Sequence, residues 1–464
     1  MSKEKSERAD KLFYAQKNGY DIIDQKEKDL CEDYCKAYMT FLNESKTERE
    51  AVRAGIALAE KAGFVPYTAG MKIEAGTKIY SSNRGKALML AVIGKKPLSE
   101  GSIIAAAHVD SPRLDLKQVP LYEDSELCYL KTHYYGGIKK YQWLTIPLEL
   151  HGVVALKDGT SVEVCIGKDK SEPIFQITDL LPHLNKEQRK KSAAEFVPGE
   201  SLNLLIGSIP DSEDVKDRVK LAIMDLLNKK YGIIEEDFLS AELCAVPAYD
   251  VREVGLDRSL IAGYGHDDRV CAYAELAAII ASPNPEKTAV CILADKEEIG
   301  SEGVSGMKSH AFERFMGDLC DAQGVKLSHC FANSFCVSAD VCNAFDPNYP
   351  EISEKRNAAK INYGMGICKF TGHGGKSDSN DASAEVVARL RRIFADNGVV
   401  WQMAELGKVD EGGGGTVAMY MAERDIDTID AGVPVLSMHA PYETVSKFDC
   451  YMTFKGIKSV YAEK

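Results

Sequence analysis

The stretch Val290–Gly303, VCILADKEEIGSEG, constrains this chain more than any other. It opens on an apolar run, Val290 to Ala294, short enough for a buried strand, and then delivers two adjacent carboxylates, Glu297 and Glu298, with glycines at Gly300 and Gly303. A strand that ends in a carboxylate pair and a glycine-bearing loop suits an α/β enzyme, whose sites gather beyond the carboxyl ends of parallel strands. Neighbouring side chains on a loop point different ways, so one glutamate can hold a metal while the other stays free as a base. An isolated Glu-Glu pair after a strand is far more often a charged turn. The chemical reading therefore depends on what else the chain supplies.

A second signal of the same kind lies upstream. Ser102 to His108 (SIIAAAH) reads as a strand that runs directly into His108, Val109 and Asp110. A histidine there can ligate a metal through one ring nitrogen, while Asp110, two residues on and on the same side of an extended chain, holds the other. A structural histidine is the competing reading. Before this strand the chain is helical and charge-rich from Ser6 to about Lys61, with Tyr34, Tyr38 and Phe41 on one face. The helix Thr47 to Ala62 opens on a capping box and ends at Gly63, and strands follow at Ile79 to Ser82 and Ala87 to Ile93. Cys31 and Cys35 lie one helical turn apart, but no second pair completes a zinc site.

From about Arg113 to Val246 the character changes, and the block reads as an inserted domain. Thr132 to Lys140 is expected to be a loop with two tyrosines and paired glycines, Leu148 to Leu156 and Ser161 to Ile166 a β-hairpin, Lys186 to Lys191 a solvated stretch, and Asp214 to Tyr231 an amphipathic helix. The α/β pattern then resumes. Gly263 to Leu276 is a loop running into an apolar helix, with Asp267 and Asp268 at its start; Asp268 reads best as a cap favoured by the helix dipole. Ser334 to Val341 carries Asp340, Ile367 to Thr371 is a short strand, and a helix from Ala382 aligns Val386, Leu390, Ile393 and Phe394. The loop Gly412 to Gly415 lacks the Gly-Lys-Ser/Thr ending of a phosphate-binding loop. Val433 to Met438 is a strand ending in His439.

Bulk properties narrow the class. A chain of 464 residues exceeds one simple core and is expected to form two domains. A net charge of −13 argues against nucleic acid or an anionic membrane as partner, and no apolar run is long enough to span a bilayer. The start, MSKEKSERADK, has no apolar core of a secretory signal, and thirteen scattered cysteines fit reduced thiols in the cytoplasm.

His108, Asp267, Glu298, Asp340 and His439 each stand at a strand end or a helix start. Two histidines and three carboxylates suit a pair of divalent ions, and five ligands favour one carboxylate bridging ions about 3.5–4 Å apart. Glu297, beside a ligand but unused as one, would be free to take a water's proton and hand it to a leaving amine. Sequence distance does not say whether these residues converge.

The segments YMTFLNESKTEREAV, AAHVDSPRLDLK, YGGI, ELC at Glu242 to Cys244, HDDR, DKEEIGSEG, SADV with DPNY after it, and VLSMHAP occur in this order. On them the chain resembles the aspartyl aminopeptidase family of cocatalytic-metal exopeptidases over nearly its whole length. The resemblance implies an α/β fold: a three-layer α/β/α metallopeptidase catalytic domain in two parts, 1–113 and 247–464, interrupted by a β-rich dimerisation domain, 114–246. It implies His108, Asp267 and Asp340 on one metal and Asp267, Glu298 and His439 on the other, with Asp267 bridging, Asp110 orienting His108, and Glu297 as general acid/base. It also implies tetrahedral dodecamers, built from dimers, that enclose the active sites. A histidine of the insert reaches a neighbouring site in the family; Leu-Pro-His-Leu at 181–184 makes His183 the candidate, with a solvent-exposed loop histidine as the alternative. Acid-selective members place a lysine near the substrate side chain, for which Lys369 in GICKF is the first candidate and Lys376 the second. The chain departs from many members in reading His266-Asp267-Asp268 for Leu-Asp-Asn, and CNAFDPNYPE after SADV for a histidine-containing version.

The expectation is a cytoplasmic, metal-dependent aminopeptidase acting on short peptides, acidic N-terminal residues among them. Zinc fits the donors, and cobalt or manganese fit them nearly as well. A deacylase or a peptidase of other end specificity would share the same site, and free against blocked amines would separate these. A catalytically idle assembly protein is a third reading, against which the intact ligand set with Glu297 speaks, since a scaffold has no need of a buried carboxylate cluster.

Overall fold

The computed structural model describes residues 7–464; the expected helical start at Ser6 lies outside them. A nine-stranded mixed sheet forms the spine, in the order Val65–Pro66, Lys78–Asn83, Ala87–Val92, Thr288–Ala294, Ser102–His108, Phe335–Ser338, Asp427–Gly432, Met365–Cys368, Trp401–Met403. Its four middle strands, from Thr288–Ala294 to Asp427–Gly432, run parallel. Strand Ser102–His108 shows why the sheet has helices on both sides. Ile103, Ala105 and Ala107 face one core with helices Gln25–Glu44, Glu48–Lys61, His266–Ile280, Ala384–Asp396 and Lys447–Tyr461. Ile104 and Ala106 face the other, with helices Ala311–Ala322, Leu327–Ala332 and Val417–Ala422. A strand buried on both faces reads as a continuous apolar run, as SIIAAAH does.

Local chemistry sets the flanking helices. Thr47 and Glu50 form the expected capping box, and the helix stops before Gly63, whose φ of +88° a side-chain-bearing residue rarely adopts. Tyr34, Tyr38 and Phe41 share one face and pack on Tyr273, with ring centroids 5.5, 5.6 and 5.1 Å away. Helix His266–Ile280 is buried nearly all round, as an apolar helix between a sheet and other helices should be.

Residues 113–247 build a separate antiparallel sheet of six strands: Ser161–Ile166, Leu148–Ala155, Ala241–Pro247, Arg113–Asp124, Leu127–Tyr135 and Leu204–Gly207. Helix Arg218–Tyr231 packs on it over its own apolar core. The expected hairpin is present with Val154 opposite Val162. Thr132 to Tyr135, expected in a loop, instead finishes a strand, because alternate residues Leu130 and Thr132 turn inward; the loop starts at Gly136, φ +71°. The helix expected from Asp214 begins at Arg218.

A third sheet escaped the sequence reading. Its strands, Arg252–Val254, Leu260–Gly263, Glu443–Ser446, Pro434–Leu436 and Cys342–Asn343, are two to four residues long. The strand expected through Met438 stops at Leu436, and Ser437 and His439 take left-handed backbone, with φ of +59° and +63°, in the hairpin that follows. No described helix is long and apolar enough to cross a membrane.

Candidate metal centre

Register brings the site together. His108 pairs with Ala294 at the ends of adjacent parallel strands, so Glu297 and Glu298 emerge just beyond it. Ser338 pairs with Ala106, which puts Asp340, two residues on, at the level of His108. Asp267 and His439 arrive from the small third sheet, where Gly263 pairs with Glu443.

The five expected ligands converge in two groups that share Asp267: His108, Asp267 and Asp340, and Asp267, Glu298 and His439. His108 Nε2 lies 3.2 Å from Asp267 Oδ1 and 4.0 Å from Asp340 Oδ1. His439 Nε2 lies 3.1 Å from Asp267 Oδ2 and 3.6 Å from Glu298 Oε1. Glu297 belongs to neither group but stands against the first, its Oε2 3.8 Å from His108 Nε2. The site is deep yet open on one side: Glu297 and His439 are 19 % and 35 % exposed, whereas His108 and Asp267 are buried.

The second ring around these groups fixes their aim. Both histidines direct Nδ1 at a backbone carbonyl, His108 at that of Asp110 (3.0 Å) and His439 at that of Gly137 (2.8 Å). The hydrogen then sits on Nδ1, and Nε2 faces the carboxylates. The Asp110 carboxylate stands 3.4 Å from the same His108 nitrogen. It accepts the backbone N–H of Glu297 and of Glu298 at 3.2 Å each, and the Tyr135 hydroxyl at 2.8 Å. Asp110 thus organises the glutamate loop as well as the histidine, which the sequence reading did not anticipate.

Asp268 is not a cap. Asp267 and Asp268 have non-helical backbone, and Asp268 is buried with Oδ2 accepting the N–H of His108 at 3.3 Å. Burial, reinforced by the Asp340 charge, pushes its carboxyl well above the usual range. His266 also lies outside the two groups. It is buried on the Tyr38 hydroxyl at 2.6 Å, and burial lowers its pKa to about 3.

Sequence reasoning missed Glu443. Its buried carboxylate accepts the N–H of Asp267 at 3.0 Å and of His439 at 2.7 Å, bracing two residues of the second group. Burial, with the Asp267 charge behind it, raises its pKa to about 8. Four residues separate it from His439, a spacing that means nothing until the hairpin is known.

The donors fit divalent ions. Asp267 Oδ1 and Glu298 Oε1 are buried and make no hydrogen bond, an expensive condition for carboxylate oxygens. Both histidines are drawn towards the cationic form: burial opposes this, but Asp110 and Asp267 overcome it at His108, and Asp267 and Glu298 raise His439 to about 10. Positive charge is what these positions favour, as a proton on each Nε2 or as a metal ion. Glu297 is raised to about 7, chiefly by burial against the lowering pull of His108, with Asp110 and Asp267 adding to the rise.

The remaining candidates lie elsewhere. His183 is on an exposed loop between exposed Leu181 and Leu184. Lys369 and Lys376 both pair with Asp381, at 2.7 and 3.1 Å. Strand Met365–Cys368 runs antiparallel to Asp427–Gly432, with Cys368 opposite Asp430 and hence level with Ser338 and Ala106. Lys369 therefore leaves the sheet away from the end that bears His108. Cys31 and Cys35 both direct their thiols at the Lys447 carbonyl, at 3.3 and 3.4 Å.

Paired histidine–carboxylate groups at the carboxyl edge of a mixed α/β sheet define a metallohydrolase. The profile of the Aminopeptidase I zinc metalloprotease (M18) family matches residues 41–461. A probable M18 family aminopeptidase 1 of Clostridium acetobutylicum is 50 % identical over 455 residues, 96 % of this chain and 98 % of its own. The crystal structure of an M18-family aminopeptidase from Thermotoga maritima matches with a TM-score of 0.93 at 44 % identity, covering 97 % of this chain and 100 % of that one. An aminopeptidase dodecamer from S. cerevisiae shares the fold at 21 % identity, TM-score 0.74, over 94 % of this chain and 99 % of that one. The chain belongs to the M18 family, the aspartyl aminopeptidases, and is a metalloaminopeptidase.

Proposed function

We propose that this aminopeptidase removes N-terminal residues from short peptides with two divalent ions, one held by His108, Asp267 and Asp340, the other by Asp267, Glu298 and His439. Zinc is the proposed metal on the family's description, and cobalt or manganese suit the same donors. Bound there, such ions polarise a peptide carbonyl and make water acidic enough to attack it near neutral pH. The observation that carries the reading is the sharing of Asp267 by two three-residue groups, with the Glu297 carboxyl 3.8 Å from His108 Nε2 and a member of neither. Glu297 is the proposed general acid/base, taking the water's proton and passing it to the leaving amine. Asp110 is the proposed orienter of His108, its carboxylate 3.4 Å from Nδ1, and the same carboxylate accepts the backbone N–H groups of Glu297 and Glu298.

Restriction to short peptides would come from an enclosed assembly. The yeast dodecamer of the same fold supports one, as do exposed Leu180, Leu181 and Leu184 around His183. We take residues 114–246 as the dimerisation domain between the catalytic parts 1–113 and 247–464, dimers as the unit of a dodecamer, and His183 as the residue offered to a neighbour's site. Thirteen free cysteines support a cytoplasmic location. Kinship to aspartyl aminopeptidases makes N-terminal Asp and Glu the first substrates to try. Lys369 is the first candidate to meet an acidic substrate side chain and Lys376 the second; both pair with the partly exposed Asp381.

The test is a hydrolysis panel on metal-reconstituted protein, with free-amine Asp, Glu, Leu, Ala and Lys substrates beside an N-acetylated control and Glu297→Gln in parallel. Free-amine turnover that falls about 10²–10⁴-fold in Glu297→Gln while the metal stays bound is expected. Turnover of the acetylated control, or a fully active variant, would overturn the reading.

A further inference from the structure

We infer that the inserted sheet is a working part of the metal centre: the tripeptide Tyr135-Gly136-Gly137, where strand Leu127–Tyr135 ends, positions three site residues at once. This rests on the two-ion reading above. The Tyr135 hydroxyl donates to Asp110 Oδ2 at 2.8 Å. Gly136 lies against Glu298; a Cβ added there would come within 3.0 Å of Glu298 Oε2 and 3.3 Å of Glu298 Cβ, at a φ of +71°. The Gly137 carbonyl accepts the Nδ1–H of His439 at 2.8 Å. Three consecutive residues of the insert thus touch the orienter of the glutamate loop, one ligand of the second group and another.

The tripeptide is itself held firmly. Tyr135 pairs with Arg113 across the sheet, and the Arg113 guanidinium lies 4.4 Å from the centre of the Tyr135 ring. Arg113 is tied in turn to Glu48 at 2.5 Å and Asp115 at 2.7 Å, so ring, sheet and helix Glu48–Lys61 form one frame. Each contact has a distinct consequence. The Tyr135 hydroxyl is the third donor on Asp110, after the two glutamate N–H groups, and fixes the plane of that carboxylate. The Gly137 carbonyl keeps the His439 hydrogen on Nδ1, which leaves Nε2 for the carboxylates. His439 stands on a hairpin, partly exposed and in left-handed backbone, so this carbonyl and Glu443 are what hold it. At Gly136 the missing side chain is what leaves Glu298 room to approach.

Tyr135→Phe and Gly136→Ala test this, with Tyr134→Phe, at an exposed position on the same strand, as control. Three quantities are read: zinc affinity against a competing chelator, the visible spectrum of the cobalt-loaded protein, and kcat with KM. Gly136→Ala is expected to weaken one of the two ions about 10–100-fold and alter the cobalt spectrum, while the other ion keeps its affinity. Tyr135→Phe is expected to lower kcat about 10-fold with KM nearly unchanged, since it acts through Asp110 on the glutamate loop. Wild-type affinities, spectrum and kcat in both variants would overturn the inference. If Gly136→Ala does not fold, Tyr135→Phe decides alone, because it removes a single oxygen from a ring that remains packed. The wild-type titration separates the two levels: failure there to bind two ions, or to cleave free-amine substrates, overturns the underlying reading, whereas a normal wild type with silent variants overturns only this inference.

Discussion

Replacing Glu443 by glutamine should loosen the second metal group without unfolding the protein. The Glu443 carboxylate is buried and accepts two backbone N–H groups, from Asp267 and His439. Above pH 8, where the Glu443 carboxyl is ionised, a hydrogen bond to it contributes about 1.5–3 kcal/mol, roughly twice a neutral one. Glutamine keeps one carbonyl oxygen, so one bond survives in weaker form, and its amide nitrogen faces the other N–H donor to donor. The loss of one charge-assisted bond and the weakening of the other sum to about 2–4 kcal/mol. Part of this falls on the hairpin and part on the ligands it aims, for which loss of an outer-shell partner costs about 10–100-fold in metal affinity. The assay, run above pH 8 so that Glu443 is ionised, is zinc titration against a chelator of known affinity, followed by a thermal melt of the metal-free protein. Both proposed ions should bind more weakly, because Asp267 belongs to both groups, and the one on Glu298 and His439 should lose more, because His439 is braced by Glu443 as well. Two ions bound as tightly as in wild type would refute the argument, because Asp267 and His439 would then owe nothing to Glu443.

Two further outcomes concern stability. His151 lies between Glu50 at 2.8 Å and Glu149 at 3.2 Å, with Cys165 beside it and Lys46 3.4 Å from the same Glu149 oxygen. Burial alone would lower its pKa, but Cys165, Glu149 and Glu50 raise it from 6.5 to about 11. The folded protein therefore holds a proton that the unfolded chain releases above pH 6.5, and the stabilisation, complete below that pH, is lost as pH rises towards 11. The melting temperatures of wild type and His151→Gln should differ most near pH 6 and converge by about pH 11; a constant gap would refute the assignment. Leu390→Ala, on the buried face of helix Ala384–Asp396, should cost about 2–5 kcal/mol by denaturant melt and leave kcat of the folded fraction unchanged.

Much of this centre was legible because its residues stand where apolar runs end. SIIAAAH into His108 and VCILA into Glu297 are strands buried on both faces, whose continuous apolarity announces a parallel sheet and whose carboxyl ends announce a site. The third sheet was not legible, since strands of two to four residues carry no measurable period. Its absence from the reading made His439 look like the end of a strand and hid Glu443 altogether. Asp268 was misread for a related reason. A carboxylate at the start of an apolar helix resembles a cap, and only the non-helical backbone at Asp267 and Asp268 turns it inward to the His108 amide. The two tyrosines and paired glycines before Ile138 were noticed but taken as loop, and their contacts with Asp110, Glu298 and His439 join residues up to 302 positions apart.

The placement of the bracing groups follows from the charge they surround. Asp110, Asp267, Asp268, Glu297, Glu298 and Asp340 crowd two histidines in a site mostly closed to water. Without cations the carboxylates of such an array repel one another, and the two histidines alone do not balance them. What keeps them is backbone. Asp268 takes the N–H of His108, Asp110 those of Glu297 and Glu298, and Glu443 those of Asp267 and His439. Four of the five proposed ligands, with Glu297, are thus held through their amides by a neighbouring carboxylate, which leaves their side-chain oxygens and Nε2 atoms uncommitted and converging. Asp340 is the exception. Its support is the strand itself, through Ala339 N–H to Ala106 O at 2.8 Å, beside the strand that carries His108. An ion entering such a site meets donors already aimed, so little of its binding free energy goes into ordering the chain.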